Sequence, residues 1–171
     1  MDQDQTPPAA SPPLTSPDAI FPPRLEHICD MTVELDNIME LGPGRGGQRR
    51  IIPIIGGSVS GPHLNGRVMN LGADWQTVFA DGLAQLDTRY AIETEDGAIV
   101  EIINFGLRHG PEEVMQAVAR GEDVSPDAYY MRTHARLESG DQRYAWVNNT
   151  LFIGTGGRNK SSVQIALYAI R

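Results

Sequence analysis

Two neighbouring residues, Asp74 and Trp75, are the first place in the sequence where side-chain types point to chemistry. They follow Gly72-Ala73 at the start of a predicted strand. A carboxylate held beside an aromatic ring and away from water has a raised pKa and can act as a general acid or base. In the alternative interpretation, Asp74 caps a turn through its side chain while Trp75 packs into the core. Asp74 is therefore the candidate catalytic residue, with a structural role as the alternative.

Arginines and aromatic residues on predicted strands form a second group with chemical potential. A guanidinium binds a carboxylate through two parallel hydrogen bonds and stays charged when it is removed from water. If Arg89 and Arg132 meet inside the mouth of a barrel, aromatic walls around them would complete a pocket for a carboxylated or aromatic small molecule. The alternative is that they form surface or interface ion pairs, for example between Asp87 and Arg89. The predicted ligand-binding residues are Arg45, Trp75, Arg89, Tyr90, Arg132, Tyr144 and Trp146.

The Gly-rich segment 42–47 is the third candidate feature, because it carries Arg45. It resembles a phosphate-binding loop only superficially, since no Lys-Ser or Lys-Thr pair follows it and no helix begins after it. Its composition predicts either a mobile lid that brings Arg45 over the barrel mouth or an ordinary hairpin loop.

The residue types that hold metal ions are few and scattered. Cys29 is the only cysteine, which excludes an internal disulfide and a zinc site built on thiolates. We expect it to be a small buried hydrophobic residue. The histidines lie far apart, without metal-ligand spacing, at His27, His63, His109 and His134. We therefore predict neither a metal ion nor a cofactor.

Composition excludes several classes of partner. The 171 residues have a formal net charge of -8, whereas a nucleic-acid-binding domain normally has a basic stripe. No stretch approaches the roughly 20 apolar residues that span a bilayer. The start of the chain has neither the basic nor the apolar region of a secretory signal. We expect a cytoplasmic protein that binds neither nucleic acid nor membrane.

The chain divides into a leader and one folded unit. Residues 1–22 combine paired prolines with Ala, Ser and Thr and have little to bury, which predicts a disordered Pro-rich leader. Residues 23–171 are predicted to form a single domain, in which apolar and polar residues alternate with period two over many short stretches. Asp-Gly pairs at 81–82 and 96–97 separate such stretches and favour tight antiparallel hairpins.

The helix content is predicted to be small. Pro111 suits the first position of a helix and Gly121 suits its end, so one short helix is expected between them. Many short strands with turn signals, and no alternation of strands with crossover helices, indicate an all-β fold. The predicted architecture is a closed antiparallel meander β-barrel with one short helix.

For several predicted strands the sequence leaves the position in the sheet or the inward face undetermined. Strands are expected over Leu25–Leu41 and Tyr144–Val147. Pro53 interrupts the apolar run Arg50–Ser60, which predicts an edge strand or a bulge. In the strand around residues 87–92 the pattern allows either of two pairs to point into the barrel: Thr88 and Tyr90, or Asp87 and Arg89.

Four stretches occur in the order found in a known protein family. They are IPIIGGSVSGPHLNGRVMNLGADW, DGLAQLDTRYAIETEDGAIVEIINFG, YYMRTHARLE and YAWVNNTLFIGTG. Together they resemble the DUF3237 family, also called UPF0311, over roughly residues 24–171, with Gly56–Gly97 as the most specific part. The resemblance implies a compact, calycin-like β-barrel that forms a homo-oligomer. It assigns no catalytic residue, because the family is named for lacking an assigned function.

Three functional hypotheses follow. The first is a barrel that binds a small molecule in its mouth through arginine and aromatic side chains. The second is a cofactor-free lyase or isomerase, which requires Asp74 to be buried in the main cavity near a Tyr or Arg, with a shifted pKa. The third is an oligomeric assembly protein without a ligand, which places Arg89 and Arg132 at a subunit boundary.

Overall fold

Nine β-strands account for most of the structure, a computed structural model that describes residues 21–171. The predicted leader, residues 1–22, lies outside the described residues apart from its last two. The strands are β1 Leu25–Leu35, β2 Met39–Pro43, β3 Gln48–Ser60, β4 Gly66–Val78, β5 Ala84–Thr94, β6 Ile99–His109, β7 Tyr130–Glu138, β8 Phe152–Arg158 and β9 Ser162–Ile170.

The strands close into a barrel by antiparallel pairing in chain order. From β3 to β9 each strand pairs with the next, and β1 pairs with β9 on one side and with β3 on the other. Eight strands, β1 and β3 to β9, therefore form a closed wall, and β2 extends the sheet by pairing with the first part of β3. The prediction of a closed antiparallel meander β-barrel is confirmed.

Alternation along each strand decides which side chains fill the barrel. In β7, Met131, Thr133, Ala135 and Leu137 are buried, while the residues between them are exposed. The same period in β5 turns Tyr90 inward, where it is only 2% exposed. Because successive side chains of a strand point to opposite faces, the residues next to Tyr90 in sequence cannot share its direction. This settles the choice that the sequence pattern left open.

Two predictions about the first strands need correction. The run 25–41 is not one strand, since residues 36–38 separate β1 from β2. β3 is not an edge strand, because it pairs with β4 on one side and with β2 and β1 in turn on the other. Pro53 lies where β3 passes from β2 to β1, so its missing N–H group leaves no ladder position unfilled. The register between β3 and β4 shifts after Pro53, which confirms the predicted bulge.

The predicted strand Tyr144–Val147 is wrong, because these residues belong to a 3-10 helix, Gln142–Asn149. The side chain of Asp141 accepts a hydrogen bond from the backbone N–H of Arg143 and so begins a helical turn. Alternation over four residues is too short to separate a strand from such a turn.

Helical segments cover the two ends of the barrel. The predicted helix is confirmed as α1, Glu112–Ala119, which packs Val118 against Ala84, Leu86 and Met131 at one end. The 3-10 helix Gln142–Asn149 packs against the larger apolar core at the other end. Among residues 21–171, no helix is long and apolar enough to cross a membrane.

Candidate functional site

Polar side chains point into the barrel in the half that α1 covers. Asp74, Gln76, Asn104, Arg108 and Thr133 are all buried there. In the register of the sheet, Asp74 of β4 lies opposite Thr88 of β5, which lies opposite Asn104 of β6. We call these three residues the polar row. A row of polar groups at inward positions of a small barrel is costly unless hydrogen bonds or a ligand satisfy them.

A chain of hydrogen bonds connects Asp74 to an arginine at the end of the barrel. Arg50 Nε donates to Gln76 Oε1 at 2.8 Å, and Gln76 Nε2 donates to Asp74 Oδ2 at 2.5 Å. The backbone N–H of Asp87 donates to the other carboxylate oxygen, Oδ1, at 3.1 Å. Both oxygens of Asp74 therefore accept a hydrogen bond, and any change of its charge is transmitted through Gln76 to Arg50.

The pKa of Asp74 is raised, chiefly because burial penalises its charged form. Hydrogen bonds from Gln76 and Thr88 and the positive charge of Arg108 oppose this shift without cancelling it. Among the described residues, no arginine nitrogen lies within 4.0 Å of the carboxylate. Asp74 thus has the burial and the pKa shift that general acid–base chemistry needs, but it has no ion-pair partner in the part of the chain described.

A small inner cavity lies beside the polar row. Its volume is about 30 Å³, which is room for a group the size of one water molecule. The polar row lines it together with Thr133, Tyr90 and apolar side chains. Among residues 21–171, Asn104 Oδ1 and Thr133 Oγ1 have no hydrogen-bond partner. The inner cavity therefore presents unsatisfied polar atoms to whatever enters it.

Two glycines make the room around Thr133. Gly106 of β6 and Gly154 of β8 lie directly opposite Thr133 on either side of it in the sheet. A Cβ atom at Gly106 would lie 2.5 Å from Thr133 Cγ2, and one at Gly154 would lie 2.5 Å from Thr133 Oγ1. Any larger residue at Gly106 would press on the methyl group of Thr133, and one at Gly154 on its hydroxyl, so the glycines keep this part of the interior open.

A larger cavity lies between the barrel end and α1, and we call it the arginine chamber. Its volume is about 500 Å³. Arg50 and Arg108 line it from the barrel, together with Val78 and Ala84, while α1 contributes the residues Glu112, Met115, Gln116 and Ala119. Arg108 is only 7% exposed, and its buried Nε has no hydrogen-bond partner within residues 21–171.

Three arginines gather at this end of the barrel. Burial, together with the positive charges of Arg50 and Arg158, lowers the pKa of Arg108 to about 10, against the opposing effect of Asp74. Burial is also the main reason that the pKa values of Arg50 and Arg158 are lowered. All three groups still carry their charge at neutral pH. The site therefore concentrates positive charge around a single buried carboxylate.

Sequence reasoning missed these three arginines. On β6 every second residue points inward, so Arg108 follows Asn104 and Gly106 on the inner face of the strand. The inward positions at every second residue extend to Arg108, the penultimate residue of β6. Extending the period-two pattern by one repeat is the signal that would have found Arg108. Arg50 and Arg158 stand at strand ends, where alternation carries little information.

Arg89 and Arg132 do not meet inside the barrel mouth, so that expectation is wrong. Both side chains lie on the outer face, because their inward neighbours are Tyr90 and Met131. Arg89 Nε lies 3.9 Å from Glu101 Oε1, and the Arg132 guanidinium lies over the ring of Tyr130. The surface ion pair is the alternative that the structure shows for Arg89, with Glu101 as its partner in place of Asp87.

The other predicted ligand-binding residues are also dispersed, with one exception. Trp75 lies on the outer face of β4 with 37% of its surface exposed, and Arg45 is exposed between β2 and β3. Tyr144 and Trp146 belong to the 3-10 helix at the end of the barrel opposite α1. Tyr90 alone lies with Asp74 at the inner cavity. A role in ligand binding for the remaining six residues stays a prediction, without a shared pocket to support it.

Tyr144 and Trp146 have structural contacts at their own end of the barrel. Tyr144 Oη donates to Asp96 Oδ1 at 3.0 Å, and the Trp146 ring lies 6.0 Å from that of Phe152, a fully buried core residue. Cys29 is buried as expected, and burial raises the pKa of its thiol to about 12. Its thiol is therefore protonated and unreactive at neutral pH.

Comparison with known proteins agrees with this barrel. The family described as "Protein of unknown function (DUF3237)" matches residues 23–170. The UPF0311 protein RPA1785 of Rhodopseudomonas palustris is 38% identical over 150 residues, covering 86% of this chain and 98% of that protein. Its crystal structure superimposes with a TM-score of 0.86 and covers 89% of this chain and 100% of the other.

Two further solved structures share the fold. A beta-barrel like protein from Acinetobacter baumannii has a TM-score of 0.80 and 39% identity, covering 90% of this chain and 99% of the other. An enzyme from Penicillium herquei has a TM-score of 0.67 but only 19% identity, over 90% of this chain and 98% of the other, which shows the fold alone. The family match spans almost all of the described residues, and the chain belongs to the DUF3237 family.

Proposed function

We propose that this protein binds a small molecule in the arginine chamber, at the barrel end covered by α1. The observation that carries the proposal is a cavity of about 500 Å³ that contains Arg108, a buried side chain whose Nε has no hydrogen-bond partner in residues 21–171. Ligand pockets typically enclose roughly 300–1,000 Å³ and combine an apolar lining with a few polar groups. The chamber has this size and this combination.

The position of the chamber also supports an accessible site. Ala80 and Gly82, between β4 and β5, form one rim, and Gln116 and Ala119 of α1 form the other. These rim residues are exposed, whereas Arg108 below them is buried. A ligand that enters between the turn and the helix passes from solvent to buried polar groups, which is the arrangement that gives orientation and specificity.

Blocking the chamber with Ala119→Trp is expected to abolish ligand binding. Ala119 is exposed at the last residue of α1 and lines the chamber, so an indole there fills the entrance without entering the core. Native mass spectrometry of wild-type protein purified from its own host should reveal a retained small molecule, and Ala119→Trp should lack it. A ligand present at 100 times its Kd should stabilise the wild type by about 2.7 kcal/mol and leave the variant unchanged.

The matched control is Leu151→Trp, which adds an indole at an exposed position outside the chamber, next to β8. It should bind like the wild type. Equal retention of the small molecule by Ala119→Trp and wild type would place the ligand elsewhere and reject the chamber.

A second candidate function is a cofactor-free lyase or isomerase in which Asp74 transfers a proton. The observation that favours it is the raised pKa of Asp74 at a buried position linked through Gln76 to Arg50 of the chamber. A carboxyl group whose pKa is raised toward neutrality is suited to general acid–base catalysis. The barrel fold is compatible with both functions, since the structurally similar protein from Penicillium herquei is an enzyme.

Deuterium exchange separates binding from catalysis. If Asp74 removes a carbon-bound proton, a ligand that reaches from the chamber into the inner cavity should gain deuterium when incubated with wild-type protein in D₂O, as followed by NMR. Asp74→Asn should slow this exchange by roughly 100-fold or more while still binding the ligand. Binding without any exchange by the wild type would leave the protein a binder and reject this candidate.

Three expectations stay predictions. They are that the protein forms a homo-oligomer, that it is cytoplasmic, and that Arg89 and Arg132 lie at a subunit boundary. The outward direction of both arginines is compatible with a subunit boundary. Analytical ultracentrifugation of the full chain would establish the oligomeric state.

A further inference from the structure

Arg108 is a buried cation that lacks an anionic partner in the described part of the chain. Its side chain comes from an inward position of β6 and reaches the arginine chamber, where it is 7% exposed. No ion pair within 4.0 Å joins it to any carboxylate of residues 21–171. A buried charge costs several kcal/mol unless it is paired, so its retention at this position needs an explanation.

The charges around Arg108 increase the imbalance. Arg50 and Arg158 are close enough for their positive charges to lower its pKa, and Asp74 is the buried carboxylate whose charge acts in the opposite direction. Three guanidinium groups therefore face one buried carboxylate. The carboxylates at the chamber surface, Asp81 and Glu112, are both exposed to water, which weakens their effect on the buried group.

This positive site occurs in an acidic protein. The chain as a whole has a formal net charge of -8. A general excess of basic residues therefore does not explain three arginines at one barrel end. A concentration of one sign of charge in a partly enclosed cavity attracts ligands of the opposite sign.

Besides the arginines, the chamber is lined by aliphatic side chains and, toward its exposed rim, by Asp81, Glu112 and Gln116. Val78 and Ala84 on the barrel side and Met115 and Ala119 on α1 surround the arginines. A ligand that enters the chamber therefore meets guanidinium groups at its buried end, aliphatic side chains beside them, and water-exposed polar groups toward the rim. This lining suits an amphipathic molecule with a single charged end better than a sugar or a polyanion.

Resting on the proposed function, we propose that the ligand is a carboxylic acid with a short apolar body, whose carboxylate binds Arg108 between Arg50 and Arg158. The planar guanidinium offers two parallel N–H groups that match the two oxygens of a carboxylate. Bound in this way, the ligand neutralises part of the buried charge, and its apolar body packs under α1.

The test compares acids with their own amides, which have the same shape without the charge. Phenylacetate and phenylacetamide form one pair, hexanoate and hexanamide a second, and inorganic phosphate is a third probe. Isothermal titration calorimetry on the full chain should give tighter binding of each acid than of its amide by roughly tenfold or more. Arg108→Met, which keeps an unbranched side chain and removes the guanidinium and its charge, should abolish this preference.

Arg67→Met is the matched control, because Arg67 is exposed on β4 and pairs with Glu93 away from the chamber. It should keep the wild-type preference. If Arg108→Met does not fold, Arg158→Met provides the same comparison, with a smaller loss of preference expected.

The outcomes distinguish this inference from the proposed function. Equal binding of acid and amide by the wild type, with both lost in Ala119→Trp, would keep the small-molecule site and overturn the carboxylate class. Binding of phosphate without either acid, or binding of neither acid nor amide, would also overturn it. An acid preference that survives both Arg108→Met and Arg158→Met would place the anion elsewhere.

Discussion

Replacing Gly57 by alanine is expected to destabilise the barrel by about 3 kcal/mol or more. Gly57 of β3 lies opposite Val33 of β1, in the pairing that closes the barrel. Its φ of +137° is rarely adopted by other residues, and a Cβ atom there would lie 1.9 Å from the backbone oxygen of Thr32. Because that oxygen belongs to the adjacent strand, the clash can be relieved only by separating β1 from β3.

Gly56 provides a matched control for this prediction. It also has a positive φ, +153°, but the nearest atom to an added Cβ is the flexible carboxylate end of Glu34 at 3.5 Å. Gly56→Ala therefore has the energetic cost of placing alanine at a positive φ, but not the clash with the backbone of the adjacent strand. Urea unfolding of both variants should give a clearly larger loss for Gly57→Ala. Equal losses of stability in the two variants would contradict the prediction, because they would mean that the pairing of β1 with β3 adjusts to the added methyl group at no cost.

The wall of the barrel could be predicted from sequence because its cause is local. Alternation of apolar and polar residues with period two predicts a strand wherever it persists, and the Asp-Gly pair at 96–97 predicts the hairpin between β5 and β6. The observed register, with Tyr90 opposite Ile102, agrees with that hairpin. The strand predicted over Tyr144–Val147 is wrong because the alternation there is short. The side chain of Asp141 caps a helical turn at this point instead.

The candidate site could be predicted only in part, because it depends on which face of each strand is inside. Asp74 has the burial and the shifted pKa that the catalytic hypothesis requires, but no arginine nitrogen of the described residues lies within 4.0 Å of it, and its catalytic role stays a prediction. For Arg89 the pattern left both faces open, because a shift of one residue along a strand reverses the direction of every side chain, and the hypothesis that Arg89 and Arg132 both point inward is wrong. Arg50 and Arg158 come together with Arg108 only through the closure of the barrel, which no local pattern contains.

The stability of the wild type is expected to fall as pH rises above about 4, through the ionisation of Asp74. Burial raises the pKa of this carboxyl group in the folded state above its ordinary value of about 4, which it retains when unfolded. Between these two pKa values the folded protein binds more protons than the unfolded chain, so the free energy of unfolding decreases with pH. The decrease approaches about 1.4 kcal/mol for each pH unit within that window and ends above the folded-state pKa.

Asp74→Asn should remove this dependence, and the slope of stability against pH is the quantity to compare. The absolute stability of the variant also includes a changed hydrogen bond, because an amide at position 74 presents an N–H group where Gln76 now donates. The effect of this changed hydrogen bond on stability does not vary with pH, so it does not alter the slope. Asp96 and Asp141 contribute with the opposite sign, because hydrogen bonds from Thr94 and Arg143 respectively lower their pKa values, so their effect lies below pH 4.

Asp87→Asn is the control for this experiment. The side chain of Asp87 is exposed on the outer face of β5. Its backbone N–H, which the substitution keeps, donates the hydrogen bond to Asp74. Urea unfolding from pH 4 to pH 8 should give the same slope for Asp87→Asn and wild type, and a flatter one for Asp74→Asn. A wild-type slope that Asp74→Asn leaves intact would mean that this carboxylate is charged in the fold at little cost. It would then lack the property on which the catalytic candidate depends.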